Sequence, residues 1–209
     1  MPVAVAPQTE IPLPPWSTAV YPPRKRWTRA ECQGLESTGL WDRDRFELID
    51  GELISKVPKK RPHSIVFVAV LKWLSGFVDQ LFLNLESPLD VAPGDNPSSE
   101  PEPDIAVLAR EATEFQSVYP SASDVRLLIE ISDSTLAFDL GPKARLYARA
   151  GVADFWVFDV RARRIIVHRE PKLGGYANVT AYAEGESVAP LAKPEVVLQV
   201  TAAFPLLRA

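Results

Sequence analysis

Four charged residues stand where the surrounding pattern calls for something apolar, and their types suit chemistry on a phosphate ester. Glu130 lies inside VRLLIEIS, the most apolar run of the chain, between Ile129 and Ile131. A lone carboxylate buried there is costly unless a cation or a metal ion balances it. Asp104 opens the apolar run DIAVL directly after Pro103, and Glu52 begins the second limb of FELIDGELIS. Lys143 falls on the stripe that Leu136, Leu140, Ala144 and Tyr147 mark out at helical spacing, with Asp139 four residues before it. Two carboxylates on adjacent strand ends make a hard-oxygen site suited to Mg²⁺ or Mn²⁺, with water completing the shell. A lysine beside them can orient or deprotonate an attacking water and offset developing negative charge. Together they suit phosphodiester hydrolysis, with Asp104 and Glu130 as the metal ligands.

Each residue also has a plainer reading. Asp104 can satisfy a loop after Pro103, and Glu130 can belong to a buried ion-pair network. Lys143 can extend past the edge of the core to water. Asp139 can cap the helix start, because Pro142 is tolerated only in a first turn. Glu52 can be an ordinary surface residue of a strand. His63, at the head of a helix and opposite its polar stripe, can be bonded locally.

The elements that must position these groups are legible in outline. Residues 1–27 hold seven of the twenty prolines, which predicts an extended arm. The remainder, 28–209, reads as one domain. Thr28 with Glu31 forms a capping-box pattern for a short helix to about Ser37. Asp50-Gly51 between FELI and ELIS predicts a hairpin. A long helix is expected from about Arg61 to Phe82, with a polar stripe of Lys72, Ser75 and Asp79. Strands are expected over Asn84–Ala92, Asp104–Leu108, Val125–Ser132, Val152–Val160 and Arg164–His168. A helix runs between the third and fourth of these, from Thr135–Pro142 to about Ala150, with Gly151 placed to end it. A final meander follows Gly174-Gly175. The order predicts an α/β fold with a mixed sheet flanked by helices. There is no GxGxxG and no GxxxxGK[ST], so the common phosphate-loop readings lose support.

Composition bounds the rest. With 46% hydrophobic and 24% charged residues over 209 positions, the chain can bury a full core without staples. The single cysteine, Cys32, rules out an internal disulfide framework and a cysteine-rich zinc site. The first residues lack a basic region and a long apolar core, so no signal peptide is expected there. No apolar run is long enough to span a bilayer. A cytoplasmic location is the expectation. The formal net charge of -4 argues against a protein coating bulk duplex DNA, unless the fold gathers its local basic groups, such as Lys56, Lys59, Lys60 and Arg61.

FELIDGELI (46–54), His63, PEPDIAVL (101–108), LLIEISDST (127–135), Asp139, Lys143 and YARAGVADFWVFD (147–159) resemble, in order and spacing, the Uma2 family, also called DUF820. The resemblance covers about residues 28–200. That family is grouped with the PD-(D/E)XK nucleases, which implies a restriction-endonuclease-like core and Mg²⁺- or Mn²⁺-dependent cleavage of DNA. Carried over, Pro103-Asp104 is the PD element and Glu130 the acidic element. Ser132 stands where the superfamily usually has its lysine, and the resemblance implies that Lys143 supplies it from the following helix. Glu52 matches the family's acidic residue ahead of the long helix, and His63 matches a recurrent position. Asp133 departs from the usual Ser-Pro-Ser-Thr and offers an extra carboxylate. A homodimer is expected from the need to cut two strands. The competing class is a non-catalytic DNA-binding or protein-interaction module on a retained nuclease fold.

Overall fold

The computed structural model describes residues 24–39, 42 and 45–205. Most of the proline-rich arm lies outside them. Its described end packs on the hairpin: the Trp27 amide donates to the Gly51 carbonyl at 2.9 Å and Arg26 donates to the Asp50 carbonyl at 2.8 Å. Helix α1 (Arg29–Ser37) starts at Thr28 with the capping box closed by Glu31.

Strands β1 (Phe46–Ile49) and β2 (Glu52–Ser55) form the predicted hairpin. Asp50 and Gly51 both have positive φ, 48° and 76°, as a two-residue turn of this hand requires. A Cβ on Gly51 would stand 2.9 Å from the Arg26 Cβ, so glycine also makes room for the arm.

Among the described residues, six strands make the main sheet: β3 (Leu83–Leu85), β4 (Ile105–Leu108), β5 (Val125–Ser132), β6 (Asp154–Asp159), β7 (Arg164–Lys172) and β8 (Gly175–Tyr182), in that spatial order. Only β5 and β6 run parallel; the other neighbours are antiparallel. A parallel pair needs a crossover, and the chain supplies a helical one. It consists of α3 (Leu136–Phe138), a π-helical turn (Asp139–Lys143) and α4 (Ala144–Ala150). Gly151 ends it at φ 86°. The short pair β9 (Ser187–Val188) and β10 (Leu198–Gln199), then α5 (Val200–Ala203), close the chain.

Alternation along β5 divides the core. Leu127, Ile129 and Ile131 pack with Val66, Val70 and Leu74 of α2 (Arg61–Leu74) and with Val200 and Phe204. Leu128 faces the other way, with Phe155, Val157, Ala144 and Tyr147 under α4. Glu130 belongs to this second face, at the end of an otherwise apolar row. Burial on both faces explains why β5 reads as a continuous apolar run.

Two expected elements are shorter than predicted. Helix α2 ends at Leu74, and Asp79 caps a separate 3₁₀ turn, accepting from the Leu81 amide at 2.9 Å. The expected strand Asn84–Ala92 reduces to Leu83–Leu85, because Glu86 takes a left-handed conformation at φ 47° and Pro88 follows it.

Candidate active site

Asp104, Glu130, Lys143 and His63 line one cleft of about 800 Å³ at the carboxyl end of β5, bounded by the β1–β2 hairpin and the start of α2. The pairing of β4 with β5 ends at Ile105 opposite Ile129, and Asp104 and Glu130 are the next residues beyond that pair. The ladder between these strands stops there, and Asp104 Oδ2 takes the Ile131 amide at 2.7 Å. The carboxylate thus supplies the acceptor for this amide where the ladder carbonyls end.

Glu130 is 4% exposed and Lys143 is 5% exposed. Lys143 Nζ donates to Glu130 Oε1 and to Glu47 Oε1, both at 2.9 Å, and Tyr147 Oη donates to Glu130 Oε1 at 2.8 Å. Burial pushes the Glu130 carboxyl well above the usual carboxylate range, and neighbouring Asp139, Asp104 and Glu47 push the same way against Lys143. Burial alone would depress the Lys143 ammonium, but Glu130 and Glu47 outweigh it and hold its pKa well above 10.5. Lys143 thus lies between two carboxyl groups, both within hydrogen-bond reach of its ammonium. Burial likewise raises the Tyr147 phenol, reinforced by Glu130, so Tyr147 stays a donor.

Asp104 behaves differently. Burial opposes its ionisation, but His63 and Lys59 prevail and hold it at about 2. Lys59 Nζ lies 2.9 Å from Asp104 Oδ1, and His63 Nε2 lies 3.2 Å from the same oxygen. His63 therefore bonds to the site and not to its own helix.

Asp139 accepts from Ser132 Oγ and Thr135 Oγ1, each at 2.6 Å, and so pins the π-helical turn to the end of β5. Pro142 within that turn has no amide to return to the preceding helical turn, and the Ala144 amide donates to Asp139 and Gly141 instead. Asp133 lines the cleft but pairs with exposed Arg161 at 3.3 Å.

Glu52 is a correction. It is exposed and pairs with Arg26 at 2.9 Å, and Glu47 stands at the site in its place. The hairpin register pairs Glu47 with Ile54 and Ile49 with Glu52, so both glutamates share one face with two isoleucines between them. Ile49 and Ile54 pack on Leu146, Phe138 and Ala150. Glu47 projects past one end of this apolar contact to Lys143. Glu52 projects past the other, beside the turn. Sequence reasoning also missed Tyr147 and Lys59. The signal for Tyr147 was its place four residues after Lys143 on one helix face; Lys59 carried none beyond its charge.

Among the described residues, the buried carboxyl groups of Glu47, Asp104, Glu130 and Asp139 share this region with the ammonium groups of Lys59 and Lys143, and Lys56 and Lys60 also line the cleft. Among the described residues, no three His, Cys, Asp or Glu side chains form a ready ligand cluster. An ion here would take two carboxylates and keep several waters, which suits Mg²⁺.

Residues 35–201 match the family model Uma2, described as "Putative restriction endonuclease". The chain belongs to the Uma2 family. Among solved structures, the fold is similar to "a putative nuclease belonging to DUF820 from Anabaena variabilis ATCC 29413", with a TM-score of 0.61 and 19% identity. The match covers 81% of this chain and 95% of that one. No curated protein matches. For this Uma2 member the likeness in structure fixes the restriction-endonuclease-like fold, and the family description supports a nuclease-type function. No helix among the described residues is long and apolar enough to cross a membrane.

Proposed function

We propose that this Uma2 protein is a Mg²⁺- or Mn²⁺-dependent DNA endonuclease whose lysine acts from the helix after β5. The observation that carries this reading is the buried contact of Lys143 with Glu130, across the strand pair from Asp104. The donor set fits a divalent ion: two hard carboxylates within a region that has more negative than positive charge. Asp104 and Glu130 would hold the ion. When bound, it would polarise a phosphate oxygen and lower the pKa of a coordinated water.

The chain's own groups have separable tasks. Tyr147 fixes the rotamer of Glu130 by donating to Oε1. His63 orients Asp104. Glu47 shares Lys143 with Glu130 and holds the ammonium at the cleft floor. With its pKa held so high, Lys143 stays protonated near neutral pH. That favours a fixed positive charge for the developing phosphate charge over the base role.

The test is plasmid cleavage in Mg²⁺ or Mn²⁺ by wild type, Lys143→Met and Asp104→Asn, purified identically. Methionine keeps much of the stem and removes the charge. The expected result is cleavage by wild type and a fall of about two orders of magnitude or more for both variants. Equal cleavage by wild type and Lys143→Met would remove the lysine from the mechanism. No cleavage by wild type over varied DNA and metals would favour the non-catalytic module.

A further inference from the structure

Lys59 is bound to the site more tightly than a solvated lysine needs to be. Its Nζ lies 2.9 Å from Asp104 Oδ1 and 2.5 Å from Glu86 Oε1, at the mouth of the cleft. Its ammonium stands 5.7 Å from the centre of the Phe67 ring, and its side chain is 39% exposed. Glu86 is placed for this contact by an unusual backbone. It sits in the left-handed region at φ 47°, and its amide donates to the Asp104 carbonyl at 3.1 Å. A non-glycine residue there is uncommon, and the cost must be met by the contacts it enables. Glu86 thus holds Lys59 beside the very residue to which its own backbone is bonded.

Two cations cannot share Asp104 Oδ1 without repulsion. Lys59 is also the member of this pair that can move: its stem is long, its head is part exposed, and Glu86 gives it a second anchor. A lysine released from Asp104 but kept at the rim by Glu86 faces the space a backbone phosphate of a bound strand would enter. Lys60 also lines the cleft, as does Lys56, which is paired with Glu102 at 2.7 Å.

We propose that Lys59 competes with the divalent ion for Asp104 and, once displaced, grips a phosphate of the nucleic acid from its Glu86 anchor. This rests on the nuclease reading of the site and adds to it a positioning residue for the strand. It makes metal binding and strand binding cooperative, because the ion releases the cation that the phosphate then takes.

The experiment has two readouts that do not depend on cleavage. Calorimetry measures Mn²⁺ affinity, and fluorescence anisotropy measures binding of a DNA oligonucleotide in Ca²⁺ over a range of salt. Lys59→Met should tighten Mn²⁺ by about 1.5-fold to fivefold, the range of one partly exposed ion pair. It should also reduce the slope of log affinity against log salt by about 0.7–0.9, one phosphate contact. Lys59→Arg should retain the wild-type slope, which guards against a folding artefact. Glu86→Gln should weaken Mn²⁺ several-fold, since Lys59 then has only Asp104 to pair with. An unchanged Mn²⁺ affinity or an unchanged salt slope in Lys59→Met overturns the proposal while leaving the nuclease reading intact. A wild type that binds neither Mn²⁺ nor the oligonucleotide overturns both.

Discussion

Replacing Glu130 by glutamine asks whether the buried carboxylate is there for stability or for a ligand. The glutamine side chain keeps the shape and an oxygen that can accept from Lys143 Nζ and Tyr147 Oη, now at 2.9 and 2.8 Å from Glu130 Oε1. Lys143 keeps its second carboxyl partner, Glu47, also at 2.9 Å. What disappears is a negative charge that burial and three neighbouring carboxylates disfavour. A carboxyl whose folded pKa lies above its unfolded value of 4.5 holds an extra proton in the folded chain between those two pH values. Stability therefore falls as pH rises through that window, and the loss is complete above the folded pKa. Each tenfold change in that proton affinity is worth about 1.4 kcal/mol. Against this stands the weaker hydrogen bond from Lys143 to a neutral acceptor, about 1 kcal/mol. The metal-free variant should thus be more stable than wild type by about 1–3 kcal/mol at pH 7.5, a rise in Tm of about 2–12 °C for a domain of this size. The gain should shrink toward zero as pH approaches 4.5, where wild-type Glu130 is protonated too. Thermal unfolding in chelator from about pH 5 to 8 measures it, and adding Mn²⁺ should raise the Tm of wild type but not of the variant. A loss of about 3–5 kcal/mol at pH 7.5 would refute the reasoning and make the Glu130–Lys143 pair a structural salt bridge.

The two hairpin glutamates should separate cleanly under urea denaturation. Glu47→Ala removes one partner of buried Lys143 and the acceptor of the Glu102 amide, and should cost about 2–4 kcal/mol. Glu52→Ala removes an exposed pair and should cost about 0–1 kcal/mol; similar losses for both would contradict the placement. Asp104, held at about 2 against a usual 3.8, contributes stability that is complete above about pH 4 and is lost as pH falls toward 2. That contribution is about 2 kcal/mol. Acid unfolding of Asp104→Asn should therefore be shallower over this range than that of wild type, and parallel acid limbs would refute the assignment.

How much of this was legible depends on whether a local rule or a distant contact decides each feature. Thr28 with Glu31, Asp50-Gly51 and Gly151 are local rules: a cap, a turn with two positive φ values and a left-handed stop each act within a few residues. The β5 bounds were legible because burial on both faces leaves a continuous apolar run. The end of α2 was not, because Lys72, Ser75 and Asp79 keep helical spacing across a break that Asp79 itself caps. Nor was the short β3, whose end depends on Glu86 in a conformation that a glutamate seldom adopts. The Glu47 and Glu52 exchange has the same origin. The turn fixes the register and puts both on one face, but only the packing of Ile49 and Ile54 on the crossover helix decides which end of that face meets Lys143.

The place of Lys143 follows from what Ser132 does. Ser132 stands two residues after Glu130, the strand position from which a lysine would reach the same carboxylates. Its hydroxyl instead donates to Asp139, at the start of the π-helical turn that ends in Lys143. A serine is short enough to let the crossover chain fold back onto the strand end, and Thr135 adds a second donor to the same Asp139 oxygen. The turn then holds one residue more than an α-helical turn would, which shifts the direction of every side chain beyond it. Lys143 and Tyr147 consequently descend on one face toward Glu130. The strand residue that could have carried the charge is the one that fastens the helix carrying it. A lysine restored at position 132 would lose the bond to Asp139 and add a second buried cation where Lys143 already lies, so the two arrangements are not interchangeable one residue at a time.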